Sequence, residues 1–176
     1  MTYLMTIDSG NTHVKWGLHD GSNWLEQGTL AQDKSILLQQ AWKNLPTPHD
    51  IIISNVSSIE TKKKLSKFLS CWKAKPRWIT PLKYQCGVRN YYADPSLLGS
   101  DRWAALIAAW NWQQRGCLIV DAGTAMTVDA LSDTGEFLGG IIVPGFELMK
   151  KALTTNIITL QNQEGEFSDF PNNTTN

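Results

Sequence analysis

One local pattern occurs twice in the chain, and it restricts the fold more than any other feature of the sequence. In each copy an apolar strand ends at an aspartate, small residues follow, and a second strand leads to an Asp/Gly turn. The first copy lies within residues 3–21 and the second within residues 116–140. Repetition of the whole order is less common by chance than repetition of a short Asp-x-Gly step. We therefore expect two similar halves whose turns face a cleft and hold different phosphates of one nucleotide.

The first copy has the composition of a phosphate-binding hairpin, since two alternating runs flank a turn rich in small residues. Gly10 permits close approach and positive φ, and Asn11 and Thr12 provide side-chain donors beside backbone N–H groups. Asp8 can hold a cation that bridges phosphate oxygens, and Lys15 adds positive charge. The same residues also suit an ordinary hairpin in which Asp8 and Asn11 only shape the turn.

A second candidate site opens the helix that the periodicity predicts from Ser100 to about Gln113. Ser100 is expected to be the N-cap, which places Asp101 in the first helical turn. Gly99 clears space in front of that carboxylate, and Arg102 lies next to it, which suits an anionic or hydroxylated ligand. The alternative is structural, because a carboxylate in the first turn is stabilised by the helix dipole.

The remaining periodicity predicts alternating strands and helices, which is typical of an α/β fold. We expect strands at 3–7, 14–18, 23–30, 50–56 and 77–80, and later at 118–121 and 125–131, after which residues 136–138 lead into a glycine-rich segment at 139–145. We expect helices at 33–45, after the capping-box pattern at 57–60, and at 146–155. Residues 83–95 lack periodicity and indicate a loop or an edge segment. The domain boundary is therefore expected near residue 90, with one lobe at 1–90 and the other at 91–176.

Composition excludes several classes of function. The 176 residues include 16 Lys+Arg and 16 Asp+Glu, so no basic stripe indicates a nucleic-acid partner. No apolar run approaches the roughly 18 residues of a membrane span, and the N-terminus lacks the features of a signal peptide. Cys71, Cys86 and Cys117 form no CxxC and indicate partly buried, reduced thiols in the cytoplasm. The sequence contains no P-loop, GxGxxG or GxSxG motif.

Together these segments resemble type III pantothenate kinase, a family of the acetate and sugar kinase, Hsp70 and actin fold group. DSGNTHVKWG at 8–17 is similar to its first phosphate motif, and DAGTAMTVD at 121–129 is similar to its second. Tyr92 followed by Gly99, Ser100, Asp101 and Arg102 is similar to its pantothenate motif. FLGGIIVPG at 137–145 matches the glycine-rich segment that follows.

The resemblance implies two ribonuclease H-like lobes of the actin and sugar-kinase type, with mixed sheets flanked by helices. It implies ATP-dependent phosphorylation of pantothenate to 4'-phosphopantothenate, the first step of coenzyme A biosynthesis, by a cytoplasmic homodimer. The chain departs from the family at 157–161, where IITLQ replaces the usual Thr-Ala-x-Leu-Pro. It also stops at Asn176, so we expect the second lobe to be truncated at its C-terminal end.

The resemblance also implies a role for individual residues. The ATP-binding residues would be Asp8, Ser9, Gly10, Asn11, Thr12, His13, Val14, Lys15 and Thr124. The pantothenate-binding residues would be Tyr92, Gly99, Ser100, Asp101, Arg102 and Thr174. Asp101 would accept the proton, Asp8 would hold Mg²⁺ with ATP, and Asp121 would bind a monovalent cation, K⁺ or NH₄⁺.

One further hypothesis concerns the substrate site. Arg102 could pair with the pantothenate carboxylate as a bidentate fork. Two alternative functions stay open at this point. One is a catalytically weak nucleotide- or pantothenate-binding or regulatory protein, and the other is a kinase of the same fold for another small alcohol.

Overall fold

The computed structural model describes residues 2–157 and 169–170 of the chain. It falls into two compact units: unit 1 contains residues 1–119 and 129–140, and unit 2 contains residues 120–128 and 141–176. The boundary near residue 90 stays a prediction. No described helix is long and apolar enough to cross a membrane.

The first sheet is a meander extended by two parallel strands. In chain order its elements are β1 (Leu4–Ser9), β2 (His13–His19), β3 (Trp24–Ala31), α1 (Leu38–Trp42), β4 (Asp50–Asn55), α2 (Ile59–Leu69) and β5 (Pro76–Trp78). The strand order is β3-β2-β1-β4-β5. β1, β2 and β3 pair antiparallel, whereas β4 runs parallel to both β1 and β5. The predicted order of elements along the first half, three strands followed by helix, strand, helix and strand, is confirmed.

The period-2 pattern of β1 decides which side chains face the helices. Met5 and Ile7 are buried in one cluster with Leu38 of α1 and Leu65 of α2. Because successive side chains alternate between the faces of a strand, Asp8 lies on the opposite face. The apolar residues of β1 thus fix the face of the sheet on which the carboxylate lies.

Two helix starts in this half differ from the prediction. A 3₁₀ segment at Gln32–Leu37 precedes α1, where one continuous helix from residue 33 was expected. The backbone N–H of Gln32 donates to the Thr12 carbonyl at 2.8 Å, which ties the segment to the hairpin before a helix can start. The cap of α2 is Ser58 rather than Ser57, because Ser58 accepts the Thr61 N–H at 3.2 Å.

The second sheet begins with short edge strands. Its elements are β6 (Tyr84–Gln85), β7 (Val88–Asn90), α3 (Ser100–Gln113), β8 (Cys117–Ala122), β9 (Ala125–Leu131), β10 (Glu136–Pro144) and α4 (Phe146–Asn156). The strand order is β6-β7-β10-β9-β8, with β7 parallel to β10 and antiparallel to β6. Residues 83–95 were predicted to be a loop or an edge segment, and they contain the strands at the edge of the second sheet.

A second core lies in unit 1 around α3. Trp103 and Leu106 of the helix are buried with Val88, Leu131 and Phe137 of the second sheet. Trp103 also donates its indole N–H to the Gln85 side chain at 2.8 Å, which satisfies its polar atom. This packing fixes the orientation of α3 and hence the position of its first turn.

The cysteines differ in part from the prediction of partly buried thiols. Cys71 and Cys86 are exposed, and Cys117 is half-buried. Cys71 follows the end of α2, and Cys86 lies in the turn between β6 and β7, so neither is part of an apolar core.

Candidate functional site

Asp8 and Lys15 face each other at the end of the first hairpin. They are partners in the antiparallel β1–β2 register, and Asp8 is also the partner of Ser54 in the parallel β1–β4 register. Asp8, Lys15 and Ser54 line one cavity of about 370 Å³, together with Ala104 of α3. A carboxylate and an ammonium group on one cavity wall provide a partner for a cation and a partner for a phosphate.

The turn after Asp8 is held by hydrogen bonds within unit 1. The Gly10 N–H donates to the His13 carbonyl at 3.0 Å, which closes the turn. Gln32 donates from Nε2 to the Gly10 carbonyl at 2.9 Å and to Ser9 Oγ at 3.2 Å. Asn11, Thr12 and His13 are exposed, whereas Val14 turns into the core. The predicted hairpin is confirmed, and its tip presents polar groups to the outside.

The start of α3 is fastened to the end of β4. The two hydroxyl oxygens of Ser54 and Ser100 lie 3.0 Å apart, and Ser100 Oγ accepts the Asn55 N–H at 3.0 Å. Ser100 is the first residue of the helix, and Gly99 is the N-cap, so the predicted capping role of Ser100 is wrong. Its hydroxyl instead ties the helix to a strand that pairs with β1 beside Asp8.

Asp101 lies half-buried in the first turn of α3. Its Oδ1 atom accepts the backbone N–H of Arg102 at 2.7 Å. A Cβ atom added to Gly99 would collide with that same oxygen. The glycine two residues before the aspartate is therefore needed for the observed position of the carboxylate.

Arg102 forms a buried ion pair with Asp129. The side chains are 9% and 2% exposed, and Nε donates at 2.9 Å to Oδ2 while Nη2 donates to Oδ1. The hydrogen bond to Asp129 is the main cause that raises the pKa of Arg102, and Tyr92 beside the guanidinium adds to it. Asp129 thus occupies the Nε–Nη2 edge of the Arg102 guanidinium. A contact between the remaining N–H groups of Arg102 and the pantothenate carboxylate stays a prediction.

Tyr92 belongs to the same group of side chains. Its ring packs on Phe137 with a centroid distance of 5.3 Å, and its backbone N–H donates to the Asn90 side chain at 3.0 Å. The Arg102 guanidinium lies 5.9 Å from the centre of the Phe137 ring. The structure therefore brings Tyr92 and Arg102 together, although they are ten residues apart in the chain.

The second aspartate-bearing turn lies in unit 2. Asp121 lies near the end of β8 and Thr124 lies between β8 and β9, and both residues are exposed. The Gly123 N–H donates to the Ala125 carbonyl at 3.1 Å, and the Gly145 N–H donates to the Thr124 carbonyl at 3.0 Å. The predicted second strand–turn–strand unit is confirmed as secondary structure. Thr174 lies outside the described residues.

The donor chemistry of Asp8 fits a magnesium ion that arrives with a nucleotide. Within the described residues no three His, Cys, Asp or Glu side chains are grouped so that they could hold a metal ion. Mg²⁺ commonly takes only one or two protein carboxylates and completes its octahedron with phosphate oxygens and water. A single carboxylate beside a phosphate-binding turn is sufficient for that mode of binding.

Sequence reasoning gave no role to four side chains of this region, which are Gln32, Ser54, Asn55 and Asp129. The end of the β4 run was a usable signal for two of them, because polar residues that end a buried parallel strand commonly reach a site. Gln32 has no comparable signal, since its partners lie 20 or more residues earlier.

Comparisons with known proteins agree on one family. The model of the type III pantothenate kinase family matches residues 4–176. A type III pantothenate kinase from Nitrosospira multiformis is 58% identical over 171 residues, covering 97% of this chain and 65% of that protein. Another from Nitrosomonas eutropha is 52% identical over 177 residues, covering 99% of this chain and 69% of that protein. The chain thus spans about two thirds of the length of these relatives.

Solved structures agree with the predicted architecture. A Baf family protein from Campylobacter jejuni, described as a transcriptional activator, matches with a TM-score of 0.54 and 25% identity over 97% of this chain and 69% of that one. A Sinorhizobium meliloti protein described as a 2-dehydro-3-deoxygalactonokinase matches with a TM-score of 0.52 and 13% identity over 89% and 58%. The predicted α/β fold of the actin and sugar-kinase type is confirmed.

Proposed function

We propose, because the chain belongs to the type III pantothenate kinase family, that it transfers a phosphoryl group from ATP to pantothenate. The products are ADP and 4'-phosphopantothenate, and the reaction is the first step of coenzyme A biosynthesis. The observation that carries this proposal is the attachment of the Asp101-bearing turn to β4 through Ser100, beside the strand that carries Asp8. This attachment supports the proposal that Asp101, as the proton acceptor, and the phosphate-binding turn after Asp8 act together on one pair of substrates.

The nucleotide side of the reaction is assigned to the two aspartate-bearing turns. Residues 8–15 bind the ATP phosphates, with Thr124 as a further contact. Bound Mg²⁺ supplies neutralisation of phosphate charge, and Asp8 is its protein ligand. Asp121, an exposed carboxylate before a small-residue turn, binds K⁺ or NH₄⁺. Lys15, opposite Asp8 in the hairpin, adds positive charge where the transferred phosphoryl group needs it.

The acceptor side is assigned to the start of α3. Phosphoryl transfer needs mainly positioning, charge neutralisation and one carboxylate that takes the proton of the attacking hydroxyl. Asp101 Oδ1 already accepts the Arg102 N–H, so Oδ2 is the oxygen that accepts the proton from the pantothenate hydroxyl. Tyr92, Gly99, Ser100, Arg102 and Thr174 hold pantothenate so that this hydroxyl faces the phosphoryl group. The protein acts as a cytoplasmic homodimer.

A coupled ADP-release assay tests the proposal directly. ADP release should require pantothenate, and it should rise when K⁺ or NH₄⁺ is added. ATP binding without turnover would instead identify a binding or regulatory protein. Release that depends on a different alcohol in a substrate panel would identify another acceptor.

The role of Asp101 is tested by Asp101→Asn. We expect turnover to fall about 100-fold or more, with ATP binding unchanged. Glu60→Gln is the matched control, because Glu60 is also an acidic residue in the first turn of a helix. If Asp101→Asn keeps the same turnover as Glu60→Gln and the wild type, Asp101 only stabilises its helix end and is not the proton acceptor.

A further inference from the structure

Gln32 contacts the first phosphate turn at three places. Its Nε2 atom donates to the Gly10 carbonyl at 2.9 Å and to Ser9 Oγ at 3.2 Å. Its backbone N–H donates to the Thr12 carbonyl at 2.8 Å. The residue lies 20 or more positions later in the chain, at the start of the 3₁₀ segment after β3. The side chain of Gln32 thus holds the start of the turn, and the backbone of Gln32 holds its end.

The orientation of the amide follows from its partners. The Gly10 carbonyl can only accept a hydrogen bond, so the nitrogen of the Gln32 amide must face it. Gln32 Oε1 is then buried and accepts no hydrogen bond from the described residues. A carboxylate of the same shape cannot replace this amide, because it would place an oxygen against the carbonyl and has no hydrogen to donate.

Hydrogen bonds occupy three carbonyl oxygens of the turn, those of Ser9, Gly10 and Thr12. The Ser9 carbonyl accepts the Val56 N–H at 3.1 Å, and the carbonyls of Gly10 and Thr12 accept from Gln32. A carbonyl oxygen repels a phosphate oxygen, so an anion-binding turn works only if its carbonyls are held elsewhere and its N–H groups face the ligand. Within the described part of the chain, the exposed Asn11 donates its backbone N–H to no protein acceptor.

From this geometry we propose that Gln32 is a positioning residue for the nucleotide, which fixes the Ser9–Thr12 turn in its phosphate-binding conformation. The inference rests on the proposed function, because it takes the turn as the site of the ATP phosphates. Gln32 itself touches the turn and no reacting atom. Its loss should weaken nucleotide binding and leave the affinity for pantothenate unchanged.

The test uses Gln32→Met, which keeps the length of the side chain and removes the donor, and Gln32→Glu, which also adds negative charge. Gln39→Met is the matched control, because Gln39 is exposed on α1. Binding of a non-hydrolysable ATP analogue with Mg²⁺ is measured by calorimetry, and amide hydrogen exchange of residues 9–13 is measured without nucleotide. Urea unfolding shows whether each variant is folded.

We expect Gln32→Met to bind the analogue about tenfold more weakly, the effect of losing one or two hydrogen bonds. Gln32→Glu should bind it more weakly still, exchange at residues 9–13 should be faster in both, and the KM for pantothenate should not change. Equal binding by the wild type and both variants would overturn the inference, as would a loss of stability with no change in binding. Absence of analogue binding by the wild type would instead overturn the proposed function.

Discussion

The buried ion pair between Arg102 and Asp129 allows a quantitative prediction. Both side chains are nearly excluded from solvent, at 9% and 2% exposure, and two guanidinium nitrogens reach the carboxylate. Removal of one partner leaves an uncompensated charge inside unit 1, which typically costs about 3–5 kcal/mol. We therefore expect Arg102→Met and Asp129→Leu each to lower the free energy of unfolding by that amount. The double variant should recover much of the loss, because it leaves neither charge behind.

Urea unfolding followed by tryptophan fluorescence measures this loss. Trp103 reports on the affected region, since it lies in the same helix next to Arg102 and is fully buried. With a denaturant slope of about 2 kcal/mol per M, the transition midpoint of each single variant should fall by about 2 M. Asp50→Asn is the control, because it breaks the Arg77–Asp50 pair, whose side chains are 65% and 54% exposed. That change should cost less than about 1 kcal/mol.

The reasoning would be refuted if either single variant lost no more stability than Asp50→Asn. It would also be refuted if the losses of the two single variants simply added in the double variant. Additive losses would mean that the two side chains contribute independent packing rather than one interaction.

Two further predictions concern local hydrogen bonds. Ser58→Ala removes the cap of α2 and should lower the free energy of unfolding by about 1 kcal/mol. The control Ser66→Ala, in the middle of the same helix, should change the free energy of unfolding by less than about 0.5 kcal/mol. Urea unfolding measures both variants. Asp20 has a pKa below its ordinary value of 3.8, first because it accepts the Asn23 N–H. The ionised Asp20 therefore stabilises the β2–β3 turn at pH values above its unfolded pKa, and this stabilisation is lost as the pH falls through its lower folded pKa. An NMR titration of Asp20 and Asn23 should show this transition. A pKa of Asp20 at or above 3.8 would contradict the prediction.

The strands of the first sheet could be predicted because their signals are local. Alternation of apolar residues within β1 and β2 fixes both the strand and the face that is buried. The aspartate and glycine of each turn follow directly in the sequence, so the hairpins needed no long-range information. The capping-box pattern places the cap of α2 one residue too early, because Ser57 and Ser58 are both serines and both contact Thr61. Only the geometry shows that Ser58 accepts the Thr61 N–H, whereas Ser57 bonds to the Thr61 hydroxyl.

Polar side chains with distant partners could not be assigned in the same way. Ser100 has the position of a helix cap in the sequence, but its hydroxyl contacts Ser54, which lies 46 residues earlier. The partner of Arg102 is Asp129, 27 residues later, in a strand whose local pattern shows only a polar residue among apolar ones. The identity of such a partner depends on which strands the fold brings together, and local periodicity contains no information about that.

Asp101 combines an observed structural role with the chemical role that is proposed for it. The sequence left two interpretations open, a carboxylate that stabilises the start of a helix and a carboxylate that accepts a proton. In the structure one oxygen, Oδ1, accepts a first-turn N–H and so performs the structural task. The second oxygen is not needed for that task and is the one assigned to the hydroxyl proton. Both tasks require an aspartate at the same position, so no sequence pattern at this position could have separated them.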